Sequence, residues 1–233
     1  MITLTILGSE SLGNCYILDS GTSVLIIEAG IRWQLVKQAL GYDLTRVAGC
    51  IVTHRHGDHF KFARDYAGGG INIYSSSATM QGFSPPHRAY VFKPNHRYMV
   101  GEYSVIPFAV PHDVPTFGYV IDHPACGRVL FVTDASYIPG SFGKINHLMI
   151  EANYSDEDKQ NDRAIGRHMA LDTCVDLIRQ FNTTATYNVI LLHLSASNSN
   201  ADRFRDTIQS IVPAAGVHIA DKGLQVNLSN NPY

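Results

Sequence analysis

The sequence predicts an α/β fold of two mixed β-sheets with helices covering their outer faces. Three observations predict it. Short runs rich in β-branched and aromatic residues recur along nearly the whole chain. Stretches with apolar residues at helical spacing interrupt them. No Ser/Gly linker, sequence repeat or low-complexity block divides the 233 residues, so one domain over 1–233 with a single sizeable core is expected. Many strands with helices at intervals are accommodated by stacked sheets with helices outside.

Taken in order, Thr3–Leu7, Cys15–Ser20 and Ser23–Ile27 read as strands separated by Gly-containing turns. Ile31–Leu40 has helical apolar spacing and stops at Gly41. Gly49–Thr53 is an apolar strand that runs straight into a His-rich loop. A helix is expected from about Phe60 to Ala67, halted by Gly68, Gly69 and Gly70, with Asn72–Tyr74 a strand after it. Ser84 to Arg97 contains Pro and His and shows no period. Strands follow at Tyr103–Val110, Thr116–Asp122, Arg128–Thr133 and His147–Glu151. Helices at roughly Ala170–Phe181 and Ala201–Ile211 bracket a strand at Tyr187–Leu192, and short strands near Val217–Ala220 and Gln225–Leu228 close the chain.

Composition narrows the class. The chain is 45% hydrophobic and 16% charged, with a formal net charge of −2. No global positive field draws it onto nucleic acid, so any polyanion binding rests on local patches or on metals. Cys15, Cys50, Cys126 and Cys174 are scattered without a C-x-x-C pair, which argues against a disulfide framework or a thiolate zinc site and fits a reducing compartment. The N-terminus lacks a basic head and a long apolar run, and no stretch approaches a membrane span. A cytoplasmic, soluble protein with no membrane partner is expected. Oligomeric state is open on the sequence, a homodimer included.

The chemistry is concentrated in H-R-H-G-D-H, residues 54–59. His54, His56, Asp58 and His59 supply two clusters of nitrogen and oxygen donors from one short loop. Neutral imidazole and carboxylate suit Zn²⁺ and similar borderline divalent ions. Paired clusters are what two ions need if they are to sit roughly 3.5–4 Å apart and share an activated water. A His-rich surface turn is the plain alternative, and the downstream sequence speaks against it. His112, Asp134 and His193 each follow an apolar strand, which aims them at the same rim. His54, His56 and His112 are expected to hold a first metal, Asp58, His59 and His193 a second, and Asp134 to bridge both.

H-x-H-x-D-H, with His112, Asp134, His193 and this strand order, resembles the metallo-β-lactamase superfamily over nearly the whole chain. The resemblance implies its αββα sandwich and two divalent ions, Zn²⁺ or Mn²⁺. G-S-E-S-L-G-N-C, P-H-D-V-P, T-D-A-S-Y, E-A-N-Y-S-D, R-H-M-A and H-L-S-A-S-N-S-N are similar to the motifs of YycJ/WalJ-type exonucleases. His168, in R-H-M-A, matches a family His; in the related RNase Z enzymes a similarly placed His protonates the leaving group. His168 is therefore expected to act as a general acid, with Glu151 as its orienting partner. Three positions depart from the pattern. Glu28 stands where the superfamily usually has Asp, Ala170 replaces the Ser of the first H-L-S motif, and Tyr154 replaces a His. Ala170 removes a hydroxyl that the resemblance would bring to the substrate.

These readings converge on hydrolysis of a nucleic-acid or nucleotide phosphodiester, with Asp58 holding both metal and nucleophile and His168 protonating the departing oxygen. The resemblance implies DNA degraded from an end. A cyclic-nucleotide phosphodiesterase is the main alternative, followed by an acyl-bond hydrolase acting on lactams, thioesters or lactones, and then by a non-catalytic binding subunit. The segment 87–98 mixes cations with aromatics and reads equally as a nucleic-acid-binding strip or as a hairpin whose rings pack inward.

Overall fold

The computed structural model of the chain describes residues 1–155, 157, 166–181 and 183–229. Two seven-stranded sheets face each other. The first has the order β14-β1-β2-β3-β4-β5-β6, formed by β1 (Ile2–Glu10), β2 (Gly13–Asp19), β3 (Val24–Ile27), β4 (Val47–Ile51), β5 (Ile73–Ser75), β6 (Ala89–Val91) and β14 (Gln225–Leu228). The second has the order β13-β12-β11-β10-β9-β8-β7, formed by β7 (Tyr98–Val100), β8 (Tyr103–Val110), β9 (Thr116–His123), β10 (Gly127–Val132), β11 (His147–Glu151), β12 (Asn188–Leu192) and β13 (Gly216–Ile219). Each is mixed in the same way: β3 to β6 and β10 to β13 pair in parallel, and the remaining neighbours antiparallel.

Side-chain alternation builds three cores from these strands. Ile2, Leu4, Ile6, Tyr16 and Leu18 of the first sheet meet Val129, Phe131, Met149 and Ile190 of the second in the space between them. The opposite faces bury Cys15, Ile17 and Ile26 under α1 (Trp33–Ala39) and α3 (Ala63–Gly68), and Leu130, Val132, Ile150 and Leu191 under α5 (Leu171–Gln180) and α6 (Ala201–Ile211). In α5 the buried positions Leu171, Cys174, Val175 and Ile178 make one stripe, the expected pattern of a helix lying on a sheet. The layer order is helix, sheet, sheet, helix, as expected from the sequence. Among the described residues no helix is long and apolar enough to cross a membrane.

Three local differences from the sequence reading have physical causes. The helix expected from about Phe60 is two short ones, α2 (Gly57–Phe60) and α3, so helical structure begins inside the metal motif itself. The chain breaks at Lys61–Phe62 because Phe62 N–H donates to Ala29 O at 3.0 Å, an interaction no local pattern encodes. A one-turn helix, α4 (Ser77–Met80), is capped by Ser76, whose hydroxyl accepts from Thr79 N–H at 3.1 Å. The segment without a period holds a 3-10 turn at Pro86–Arg88 and the short strand β6, and it leads into β7. Its rings form a ladder, with Tyr90 on Tyr74 at 4.9 Å, Tyr74 on Phe92 at 5.2 Å and Phe92 on Tyr98 at 4.2 Å. Phe92 is buried in the inter-sheet core and Tyr98 packs partly against it, as the inward-packed reading expects, whereas Tyr90 is exposed.

Candidate metal centre

The C-terminal ends of β3, β4, β8, β10, β11 and β12 meet at one rim, and each carries a candidate functional side chain. Glu28 follows β3 and His54 follows β4, while His112, Asp134 and His193 follow β8, β10 and β12 and Glu151 ends β11. Glu28, Asp134 and His193 adopt left-handed backbone, with φ of 69°, 50° and 53°. Such a conformation costs a non-glycine residue of order 1–3 kcal/mol and is held by its surroundings. At these three strand ends it turns the chain sharply and brings polar side chains into the rim. Gly30 is required for a different reason. A Cβ there would lie 1.7 Å from Asp58 O, so only glycine lets the segment after β3 pass under the metal loop.

The expected ligands fall into two groups, each with ligand atoms within 4.8 Å of one another: His54, His56, His112 and Asp134, and Asp58, His59, His193 and Asp134. Asp134 Oδ2 is 3.6 Å from His54 Nε2, 3.8 Å from His112 Nε2 and 3.2 Å from His59 Nε2, so one oxygen faces both groups. His56 Nδ1 lies 3.4 Å from His112 Nε2, and Asp58 Oδ2 lies 3.2 Å from His59 Nε2 and 3.6 Å from His193 Nε2. Metal–ligand bonds of about 2.0–2.1 Å in a tetrahedral site put ligand atoms about 3.4 Å apart. The observed separations bracket that value. His54 Nε2 and His193 Nε2 are buried without any hydrogen-bond partner, an expensive arrangement unless something else binds them. The donor set, its spacing and the open nitrogens therefore fit bound metal.

A third group, Asp134, Glu151, His168 and His193, is of another kind. His168 Nδ1 and Glu151 Oε1 are 2.7 Å apart, a hydrogen bond rather than the spacing of two metal ligands. His168 Nδ1 is also 3.8 Å from Asp134 Oδ1, so the pair expected from the sequence stands directly beside the ligand cluster.

Charge is balanced without metal by protons. Burial would raise the Asp58 carboxyl, but the contacts with His193 and His59 hold it well below the usual carboxylate range. Burial would lower His193, yet the charge of Asp134 and the nearby carboxylates of Asp58 and Glu151 push it up to about 10. His59 is raised by Asp134 and Glu28 against the same burial cost. His54 is pushed down to about 2, by burial first and then by the charge on His59. Metal binding at such a site must release the protons that the carboxylates retain on His59 and His193. For His168, burial lowers the pKa but the bond to Glu151 outweighs it and raises the group above its ordinary value.

Supporting contacts orient the ligands. Glu28, fully buried, faces His59 Nδ1 at 3.4 Å and accepts from Thr53 N–H at 3.3 Å, so the longer acid reaches the metal loop. Thr53 Oγ1 meets His54 Nδ1 at 2.9 Å, and His112 Nδ1–H donates to Arg167 O at 2.9 Å, which ties a ligand to the residue before His168. Outer-shell bonds of this type fix imidazole orientation. Three further residues support the candidate ligands from within the motifs G-S-E-S-L-G-N-C, E-A-N-Y-S-D and P-H-D-V-P, where the sequence alone gives them no role. Asn14 Nδ2 is 3.1 Å from His59 Nε2 and 3.4 Å from Asp58 Oδ2. Asn153 Nδ2 donates to His193 O at 2.6 Å. Asp113 Oδ1 is 3.3 Å from His56 Nε2 and 3.2 Å from His112 Nε2.

The departures take on structural meaning. Ala170 is the N-cap of α5, with no side-chain cap, so the Ser that the resemblance expects there is explained by helix capping as well as by substrate contact. Tyr154 is buried and pairs with Ala170 through an isolated parallel bridge. Asp156, the last residue of the E-A-N-Y-S-D match, lies outside the described residues.

Fold, strand-end ligands and paired clusters together define a class, and comparison with known proteins agrees. Residues 16–194 match the beta-lactamase superfamily domain, and the chain belongs to that family. It is 23% identical to the exodeoxyribonuclease YycJ of Bacillus anthracis, over 93% of this chain and 91% of that protein. In fold it is similar to the metallo-beta-lactamase fold protein YhfI of Bacillus subtilis, with a TM-score of 0.79, 18% identity, and coverage of 97% of this chain and 100% of that one. Human tRNase Z, short form, superimposes with a TM-score of 0.70 at 15% identity, over 97% and 99% of the two chains. The protein is a metallo-β-lactamase-fold protein, similar to the YycJ type, with a cluster suited to metal.

Proposed function

We propose that this protein is a metal-dependent phosphodiester hydrolase that degrades DNA from an end. In this reading His54, His56 and His112 would hold one divalent ion and Asp58, His59 and His193 a second, with Asp134 facing both groups. Zn²⁺ or Mn²⁺ bound there would supply a nucleophilic water at neutral pH and compensate charge on the phosphoryl group. Asp58, kept ionised by its histidine neighbours, orients the attacking water. The observation that carries the reading is the Glu151–His168 hydrogen bond of 2.7 Å beside the ligand cluster. It occupies Nδ1, favours the protonated ring and leaves Nε2 for a substrate oxygen, as a general acid for an alkoxide leaving group requires. The likeness to YycJ, named an exodeoxyribonuclease, favours DNA among phosphodiesters.

The test is a parallel turnover assay with Mn²⁺ or Zn²⁺ on end-labelled single- and double-stranded DNA and on a panel of cyclic nucleotides. Asp58→Ala/His59→Ala serves as the blank. Progressive shortening from an end, absent in the blank, is the expected result. Cleavage of cyclic nucleotides with DNA intact would replace it with a signalling-nucleotide phosphodiesterase. Hydrolysis of a lactam or thioester alone would remove the phosphodiester assignment altogether.

A further inference from the structure

The net charge of −2 conceals an uneven distribution. Residues 28–97 carry nine of the 18 Lys and Arg but only four of the 20 Asp and Glu. Of those four, Glu28 and Asp58 belong to the metal site and Asp43 is paired with Arg46, which leaves Asp65. Elsewhere arginines sit beside carboxylates: Arg128 on Asp122, Arg167 near Asp113, Arg203 on Glu157 and Arg205 on Asp202. Among the described residues Arg32, Lys37, Lys61 and Arg64 have no such partner. Exposed cations without counter-charges, gathered in one place, repel one another unless an anion joins them.

They gather at a groove of about 650 Å³ on the outer face of the first sheet, between α1 and α3. Arg32, Lys37 and Arg64 line it, and Lys61 Nζ sits 5.5 Å from the ring of Phe62, a further lining residue. Asp65 is the one carboxylate in the lining. Trp33 also lines it, half-buried, tilted on Tyr66 at 4.8 Å. The indole is seated over Gly69, where a Cβ would come within 2.5 Å of its Nε1. The groove starts where the metal loop ends. Ala29 N–H donates to His59 O at 2.7 Å and Phe62 N–H to Ala29 O at 3.0 Å, so the segments leading to Arg32 and to Arg64 are joined beside a candidate ligand.

We propose that this groove holds the continuing single strand of a nucleic-acid substrate, with Arg32, Lys37, Lys61 and Arg64 on its phosphates and Trp33 against a base. The inference rests on the phosphodiesterase reading and extends it from the scissile bond to a polymer. A basic track with an aromatic platform is the general chemistry of sequence-tolerant strand binding. A cyclic mononucleotide seated at the metal cluster gains nothing from cations along the outer helices, whereas a strand does. The segment 87–98 serves this role less well, because its rings are engaged with one another and with the core.

Trp33 is the only tryptophan in the chain, so its emission reports on the groove. The metal-loaded protein, in a His168→Ala background to slow cleavage, is titrated with a single-stranded oligodeoxynucleotide at several salt concentrations. Four phosphate contacts predict quenching with a slope of log K against log salt of about −3. Arg32→Gln/Arg64→Gln is expected to weaken binding at least about tenfold and to flatten that slope by about 1.4. With His168 intact, the same pair lowers kcat/KM on single-stranded DNA and leaves hydrolysis of bis(4-nitrophenyl) phosphate, too small to span the distance, unchanged. Unaltered affinity and slope in the double variant, with DNA degraded normally, overturn the groove and leave the nuclease reading standing. A wild type that cuts small phosphodiesters but neither binds nor cuts DNA overturns both.

Discussion

Where β12 ends, His193 is buried with Nε2 unpartnered, while at the other end of the same sheet His147, buried as deeply, has both ring nitrogens engaged. His147 Nε2–H donates to Cys126 O at 3.1 Å, and Nδ1 accepts from Asn188 Nδ2 at 3.0 Å. Asn188 Oδ1 accepts in turn from His218 Nε2 at 3.2 Å. One tautomer satisfies the whole chain of bonds. The comparison teaches that burial of a histidine says little about its role; what counts is whether the protein closes its hydrogen bonds or leaves them open toward one point. The closed network belongs to the fold, and the open one waits for a ligand.

The largest effect should come from the one histidine at the open end that is bonded yet not a candidate ligand. His168→Ala is expected to lower phosphodiester turnover by about 10²–10⁴-fold with metal content unchanged, measured by single-turnover kinetics beside metal analysis. Loss of metal along with activity would make His168 a ligand and blur the distinction.

Next comes acid. Burial pushes His147 down to about 4 from 6.5, more than the carbonyls of Cys126 and Ser229 push it up. The folded state thus disfavours the proton that the unfolded chain accepts. Stability from this group is fully present above pH 6.5 and is lost as pH falls from 6.5 toward 4, by up to ~3 kcal/mol. Denaturant midpoints of the metal-free protein between pH 7.5 and 4.5 check this. A flat profile would show that the closed network tolerates a charged ring.

A pair of asparagine variants sharpens the contrast between the ends. Asn188→Ala opens the closed network and should cost about 1–3 kcal/mol of stability with metal affinity unaltered. Asn153→Ala, which frees His193 O and loosens that ring, should weaken metal binding about 10–100-fold. Chelator competition and urea unfolding on both proteins measure the two effects, and equal behaviour of the pair would erase the comparison.

The smallest effect concerns the helix that follows His168. Ala170→Ser restores a hydroxyl at the N-cap of α5 and is expected to add about 1 kcal/mol of stability. If turnover rises instead while stability stays constant, the hydroxyl belongs to the substrate.

Much of this was legible in the chain. His54, His56, Asp58 and His59 are neighbours in sequence, and His112, Asp134 and His193 announce themselves by following apolar strands. The parallel strands β3 and β12 read as unbroken apolar runs because both their faces are covered. Asn14, Asn153 and Asp113 were less legible. Polar residues at the starts of strands and in loops have many uses, and only the approach of a distant histidine gives these three theirs. The segment 87–98 illustrates the same limit, since stacking of Tyr90, Tyr74 and Phe92 depends on β5 and β6 lying side by side.

The sequence by itself determined the fold class, the strand-end placement of the candidate ligands and the chemistry those residue types suit. Periodicity and short motifs are local, and a ligand set tied to strand ends survives small errors in element boundaries. Tertiary structure set the distances at which Asp134 Oδ2 faces both clusters and Glu151 bonds His168, and it alone decided that cations from α1 and α3 converge around Trp33. Each of these joins residues far apart in the chain. Their meeting is set by sheet pairing and helix packing, which bring together side chains that no spacing along the sequence relates.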